Sequence, residues 1–246
     1  MNNALLINAS RQIALARELD IVANNVANIG TTGFKRRSPG FSEHLMPVAR
    51  ADAQTSADKR LSFVASRGNP LDLSAGAVER TGNPLDVAIR GDAFLAVQTP
   101  QGERYTRSGS MALSASGDLV TLEGHPVLTD SGPITLSAQE GPASIGPDGT
   151  ISTAQGARGK LKLVRFEHPH MLESLGANLL AASEAPQPAG TQARVEPGAL
   201  ERSNVSSVTE VARLVEVSRA YSGLAQMVQR TDELRRSTIS RLAEAN

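Results

Sequence analysis

The chain has no cysteine and no tryptophan, and aromatic residues make up only 3% of it. Without cysteine, neither a disulfide framework nor a thiolate metal site can form. The low aromatic content is poor material for an ordinary enzyme core. Charge of one sign is missing too: 25 basic residues balance 25 acidic ones, so no footprint for nucleic acid or an anionic membrane is present. No apolar run approaches the roughly 20 residues that span a bilayer. A secretory leader is not evident either. Residues 1–10 hold no basic residue, and the apolar run Ala4–Ile7 is far below the about 7–15 residues of an h-region. Export, if it occurs, is expected to use another route. The 246 residues allow one large domain or two small ones.

Proline is absent from 1–38 and from 198–246; all 13 prolines lie between Pro39 and Pro197. Eighteen of the 21 glycines fall in 37–200. This distribution predicts β structure between two helices. The expected fold is mixed and mainly β, an all-β middle domain flanked by N- and C-terminal α-helices that form a coiled-coil-type assembly region. The expected boundaries are 1–36 for the first helix and an Asn-rich joint, 37–80 for an irregular linker with one or two strands, 81–197 for the β domain and 198–246 for the second helix.

The N-terminal arm places Leu15, Leu19, Val22, Val26 and Ile29 at steps of 4, 3, 4 and 3. That is a coiled-coil seam rather than a 3.6-period face. The C-terminal arm repeats it with Leu214, Val217, Tyr221, Leu224 and Val228. Glu210/Arg213, Glu216/Arg219 and Asp232/Arg236 sit at helical spacing and read as a solvated or partner-facing surface. Neither arm has a wide apolar face, and one such helix is marginal alone. Two arrangements satisfy the pattern: the arms pair with each other, or they stay loose and fold against other subunits.

The middle shows short alternating runs cut by turns. Leu85–Arg90 and Ala93–Gln98, separated by Gly91-Asp92, predict a tight hairpin. Further strands are expected at Glu103–Arg107, Met111–Ser114, Asp118–Leu122, Pro126–Thr129, Pro133–Leu136, Thr150–Thr153 and Lys160–Phe166. Such spacing predicts a sandwich or barrel. Residues 184–192 are expected to form an exposed loop.

Enzyme chemistry finds little support. His168-Pro169-His170 has no acidic or cysteine cluster beside it in sequence, so metal binding is not expected. Asp86 and Asp148 sit where aspartate serves the backbone. No phosphate-binding loop, nucleophile elbow or paired His/Cys arrangement occurs. No catalytic, cofactor or metal residue is assigned.

The most specific stretch is 23–36, ANNVANIGTTGFKR. Asn24 and Asn28, four apart, share a helix face, and their neutral amides suit a register pair. Gly30 and Gly33 are expected to stop the helix and permit φ > 0. Phe34 is a large anchor expected against the β domain, and Lys35-Arg36-Arg37 reads as a solvated loop. Asn24, Asn25, Ala27, Asn28, Thr31, Gly33, Phe34 and Lys35 match the Asn-Asn-x-Ala-Asn-x-x-Thr-x-Gly-Phe-Lys signature of the flagellar rod and hook axial proteins. The resemblance continues in order through TGNPLDVAIRGDAFL (81–95), YTRSGS (105–110), GDLVT (117–121), GHPVL (124–128), PDGTIS (147–152), GALERSNVSSV (198–208) and SRAY (218–221). Two stations depart from the family pattern. Ala93-Phe94-Leu95 stands where Gly-Phe-Phe is frequent, and Ser222-Gly223 follows Tyr221 in place of a more polar continuation.

The resemblance implies a structural axial subunit rather than an enzyme. Its helices would line the inside of a tube and its β middle would form the outer layer. Chain length and local wording are closer to a proximal-rod subunit than to a distal-rod subunit. The implied partners are other rod subunits, further copies of the chain and the flagellar type III export apparatus, with no nucleic acid and no membrane insertion. The implied assembly residues are Leu15, Leu19, Val22, Asn24, Asn25, Val26, Asn28, Gly33, Phe34, Lys35, Asn204, Val205, Leu214, Val217, Arg219, Tyr221, Leu224 and Val228. The alternatives are a distal-rod or hook-type subunit, or a secreted β-rich binding or adhesion module with helical oligomerisation arms.

Overall fold

The structure, a computed structural model, describes residues 2–45, 62–66, 70–190 and 193–244. It divides into two units. One comprises Met1–Ala27, Arg37–Pro70 and Ser206–Asn246; the other comprises Asn28–Arg36 and Leu71–Val205. The mixed, mainly β architecture with a helix at each end is as expected.

The first unit is built on α1 (Asn2–Ala27) and α2 (Ser207–Glu244), which are 26 and 38 residues long and proline-free. At 1.5 Å per residue they run about 39 Å and 57 Å. The helices pack on each other, so of the two arrangements the self-paired one is found. Contacts from Glu18 to Arg213 and from Asn25 to Glu210 make the pairing antiparallel. The α2 stripe facing α1 is a heptad seam. Glu210, Val217 and Leu224 are buried, and Leu214, Tyr221 and Val228 are half-buried between them. On α1, Glu18, Ile21, Val22 and Asn25 are buried, with Leu15, Leu19 and Val26 half-buried beside them. Ile29 lies beyond the end of α1.

Two of the charged positions differ from expectation. Glu210 is 2% exposed and faces α1 instead of solvent. Its carboxylate also sits in the first turn of α2, where the helix dipole favours negative charge. Arg213 reaches across to Glu18 as well as along α2 to Glu216. An antiparallel hairpin, Phe41–Leu45 with Ser62–Ser66, completes the described part of this unit.

The second unit is a β body. Its main sheet has six antiparallel strands in the order Glu173–Gly176, Leu179–Ala181, Gly102–Thr106, Phe94–Thr99, Leu163–Arg165 and Gln187–Pro188. The central strand Phe94–Thr99 is buried on both faces, and its alternation feeds two cores. Leu95 and Val97 join Val87, Ile89, Met111, Leu119, Val127, Ile151 and Leu161 on one side. Phe94 and Ala96 join Tyr105, Leu128, Val164, Phe166 and Leu180 on the other. There Phe94 and Tyr105 both pack on Phe166, with ring centroids 5.8 Å and 4.8 Å away.

The expected hairpin across Gly91-Asp92 is not formed. Val87–Arg90 pairs with Arg194–Pro197, while Phe94–Thr99 lies in the main sheet. The reason is local. Gly91 turns the chain at φ +82°, and the Arg107 guanidinium donates to the carbonyls of Gly91 and Ala93 at 2.7 and 2.5 Å. The corner is thus held by a third segment, and the two strands diverge into different sheets. The hairpin Met111–Leu113 with Leu119–Thr121 does form, turning at Gly117. Among the described residues of 37–80 there are three strands, the pair at 41–45 and 62–66, and Val78–Arg80. Inside the expected loop 184–192, Gln187–Pro188 is a short edge strand; residues 191–192 lie outside the described residues.

Candidate functional site

Residues 28–36 follow α1, and residues 199–205 precede α2. These are the chain's two crossings into the β body, and the structure brings them together. Asn28 closes the turn after α1: its carbonyl accepts from the Thr31 N–H and its side-chain oxygen from the Thr31 hydroxyl, both at 3.2 Å. The chain then turns at Gly33, which has φ +68°. A Cβ here would overlap the backbone of Arg107 and Ser108, so only glycine fits. Gly30, expected to share this role, has an ordinary φ and open space around it. The helix has already ended at Ala27, so nothing requires glycine at position 30.

Phe34 is buried in the β body as expected. Lys35 is not in a solvated loop. It is 5% exposed, and its ammonium donates to Glu201 Oε1 at 2.6 Å and to the Ser74 carbonyl at 2.7 Å. Glu201 is 2% exposed and also accepts from the Gly76 N–H at 2.9 Å. The Arg107 guanidinium approaches its other oxygen at 3.3 Å and lies over the Phe94 ring. Burial pulls the Lys35 ammonium below the usual lysine range, against the opposing pull of Glu201. Burial likewise pulls Arg107 down, again opposed by Glu201. One carboxylate therefore holds two desolvated cations, and the three groups depend on one another.

Asn204 is the second fastening. Its side-chain oxygen accepts from the Arg36 N–H at 2.7 Å, and its amide donates to the Asp72 and Ser74 carbonyls at 2.8 and 3.1 Å. Val205 is buried beside it in sequence. The backbone repeats the tie: Gly33 N–H donates to the Glu201 carbonyl at 2.7 Å, and Asp72 N–H to the Arg36 carbonyl at 2.8 Å. The crossings are thus cross-linked by side chains and backbone alike.

In the helical unit Asn25 is a buried amide between the two helices. Asn25 is 1% exposed and grips the Arg37 backbone from both sides, accepting from its N–H at 3.0 Å and donating to its carbonyl at 2.9 Å. The same amide reaches Glu210 at 3.4 Å. Asn24 is half-buried, and Asn28 lies past the helix end. Arg219 is exposed on α2.

Glu201, Arg107, Asp72 and Ser74 were not singled out from sequence. Glu201 carried one usable signal. In Ala199–Glu201 the alternation turns Ala199 and Glu201 inward with Leu200 between them, so the carboxylate shares a face with a buried alanine. The aspartates act structurally, as expected. Asp86 accepts from the Thr81 hydroxyl and the Asn83 amide, and Asp148 accepts from the Thr150 N–H and hydroxyl. His168 pairs with Glu184 at 3.1 Å. No described helix is long and apolar enough to cross a membrane.

Known proteins give this geometry a context. Residues 5–35 match the family described as flagella basal body rod protein. Residues 88–153 match the flagellar hook protein FlgE/F/G D1 domain, and residues 196–242 match the flagellar basal body rod FlgEFG protein C-terminal family. Both crossings fall wholly or mainly inside the two terminal matches. The chain is 40% identical to a flagellar basal-body rod protein FlgF of Caulobacter vibrioides over the full length of both. It is 34% identical to a FlgF of Mesorhizobium japonicum over 94% of each chain. A FlgG of Bacillus subtilis is 30% identical over 88% of this chain and 90% of its own. Full-length identity to FlgF, with paired terminal helices and a fastened β body, shows that the chain belongs to the FlgF flagellar basal-body rod family and is a structural axial subunit of the rod.

Proposed function

We propose that this subunit forms the proximal part of the rod, carries torque across the periplasm and encloses the channel through which later subunits pass. The fastening of both chain crossings by Lys35, Glu201, Arg107 and Asn204 carries the reading. A subunit under torsion is loaded where its assembly helices enter its body, and this is where the buried charge and the multidentate amide are found. Its work is mechanical, with no catalytic centre. Export runs through the flagellar type III apparatus, and the neighbours are other rod subunits and further copies of this chain, without insertion into a membrane. Assembly residues on the arms are the exposed side of α2 together with positions of the paired seams, which can repack between subunits because each seam is narrow.

Deleting the gene tests the proposal. Cells should lose flagella and regain them when the chain is supplied in trans. Normal flagellation in the deletion strain would reject it and favour a cell-surface module. A distal-rod position is separated by copy counting in purified basal bodies, where a proximal subunit is present in few copies.

A further inference from the structure

The buried charges at the joint do not balance. The side chains of Lys35, Arg107 and Glu201 are 4%, 6% and 2% exposed, two cations to one carboxylate. Asp72 acts on Lys35 and Asp92 on Arg107, but Asp72 is only half-buried and Asp92 is exposed, so water weakens both. Donors are left over as well. Lys35 has three protons and meets two acceptors, Glu201 Oε1 and the Ser74 carbonyl. Arg107 Nη1 donates to the Gly91 and Ala93 carbonyls and Nε faces Glu201 Oε2; among the described residues Nη2 meets no acceptor. A cavity of about 20 Å³ lies beside the two cations. Lys35 and Arg107 line it with Ser174, Asn178 and the apolar Phe34 and Leu180, and among the described residues no carboxylate does. Asn178 ties its wall to the first crossing by donating to the Thr32 carbonyl at 3.0 Å.

Size and charge together select the guest. About 20 Å³ admits one small species, a water or a monatomic ion, and not a phosphate, a sulfate or a carboxylate group. A desolvated site with surplus positive charge favours the ion, because a buried charge without a partner is costly. Burial pulls both cations below their usual ranges, and a neighbouring anion opposes that pull. We propose that the cavity binds one small monovalent anion, chloride in ordinary solution, between the Lys35 ammonium and the Arg107 guanidinium. Glu201 and the halide together then balance the two cations. The site lies within the segments of one unit and stands whether or not the chain is a rod subunit.

The test replaces gluconate by chloride at constant ionic strength and follows thermal unfolding of the full-length protein. Gluconate is too large for the cavity. The melting temperature should stay flat until chloride reaches its dissociation constant, then rise by about 3–6 °C for each further tenfold. Bromide should act in the same way. Ser174→Asp supplies a carboxylate from the cavity wall. In gluconate it should melt as high as the native chain does in chloride, and it should lose the halide response. A melting temperature of the native chain indifferent to chloride, or a Ser174→Asp protein that keeps the full response, would overturn the proposal. Should Ser174→Asp fail to fold, crystals of the native chain grown in bromide decide. An anomalous peak between Lys35 and Arg107 is expected, and none there would overturn the site.

Discussion

Lys35 and Glu201 are 166 positions apart in sequence, yet their side chains meet at 2.6 Å in a site almost closed to water. The pair joins the segment that follows the first helix to the segment that precedes the second. Arg107 adds the middle of the β body to the same carboxylate.

Removing the shared acceptor should therefore cost more than a surface ion pair. Glu201→Gln keeps the shape but leaves Lys35 and Arg107 buried without their counter-charge. We expect a loss of about 3–5 kcal/mol in denaturant unfolding. Arg90→Gln at the exposed Arg90–Glu196 pair should cost less than about 1 kcal/mol.

Gly33 and Gly30 should respond in opposite ways to alanine. Gly33→Ala forces a side chain into left-handed backbone and against Arg107–Ser108, and should cost at least ~1–3 kcal/mol. Gly30→Ala meets open space at an ordinary φ and should be neutral or slightly stabilising. Thermal melts of the two variants decide the matter.

The amide of Asn25 should matter more than that of Asn28. Asn25→Leu strips both backbone contacts to Arg37 and the contact to Glu210, leaving buried polar groups unpaired. Each such group costs about 1–3 kcal/mol. Asn28→Leu loses the turn contacts to Thr31 and should fall near ~1 kcal/mol. Equal losses in chemical denaturation would contradict the placement.

Tyr105 should ionise late. Burial, and then the Glu103 carboxylate, push its phenol up to about 12 from 10.0. In a Tyr221→Phe background, tyrosinate absorbance from folded protein should rise near pH 12. The folded value is raised, so the stability contributed by the neutral phenol is complete below pH 10 and is lost as pH climbs to about 12. The stability difference between the native chain and Tyr105→Phe should therefore shrink across that window.

Gly223 sits exposed within α2 with no atom near a would-be Cβ. Gly223→Ala should stabilise the helix by about 1 kcal/mol, read as a rise in melting temperature. A loss instead would mean that position 223 needs glycine for close approach of another chain.

Much of the fold was legible because it repeats locally. Proline-free arms with 3- and 4-residue apolar steps gave both helices, and on α2 the predicted stripe Leu214 to Val228 lies along the seam facing α1, with Val217 and Leu224 buried and the others half-buried. The turn at Gly117 gave its hairpin for the same reason. The site was legible only in part, because its partners are remote. Lys35 reads as part of a basic loop until Glu201 is beside it, and Glu210 reads as a surface charge until α1 covers it. The Gly91-Asp92 corner failed as a hairpin because Arg107, 14 residues past Ala93, dictates where the chain turns. Asn25 was obscured by neighbours of the same type, since only helix phase distinguishes three asparagines within five residues.

The most direct measurement probes purified basal bodies for this chain with a specific antibody. We predict label on the rod that persists after the outer rings are stripped and vanishes in the deletion strain. Basal bodies lacking the chain, with the protein recovered from the cell surface instead, would contradict the account.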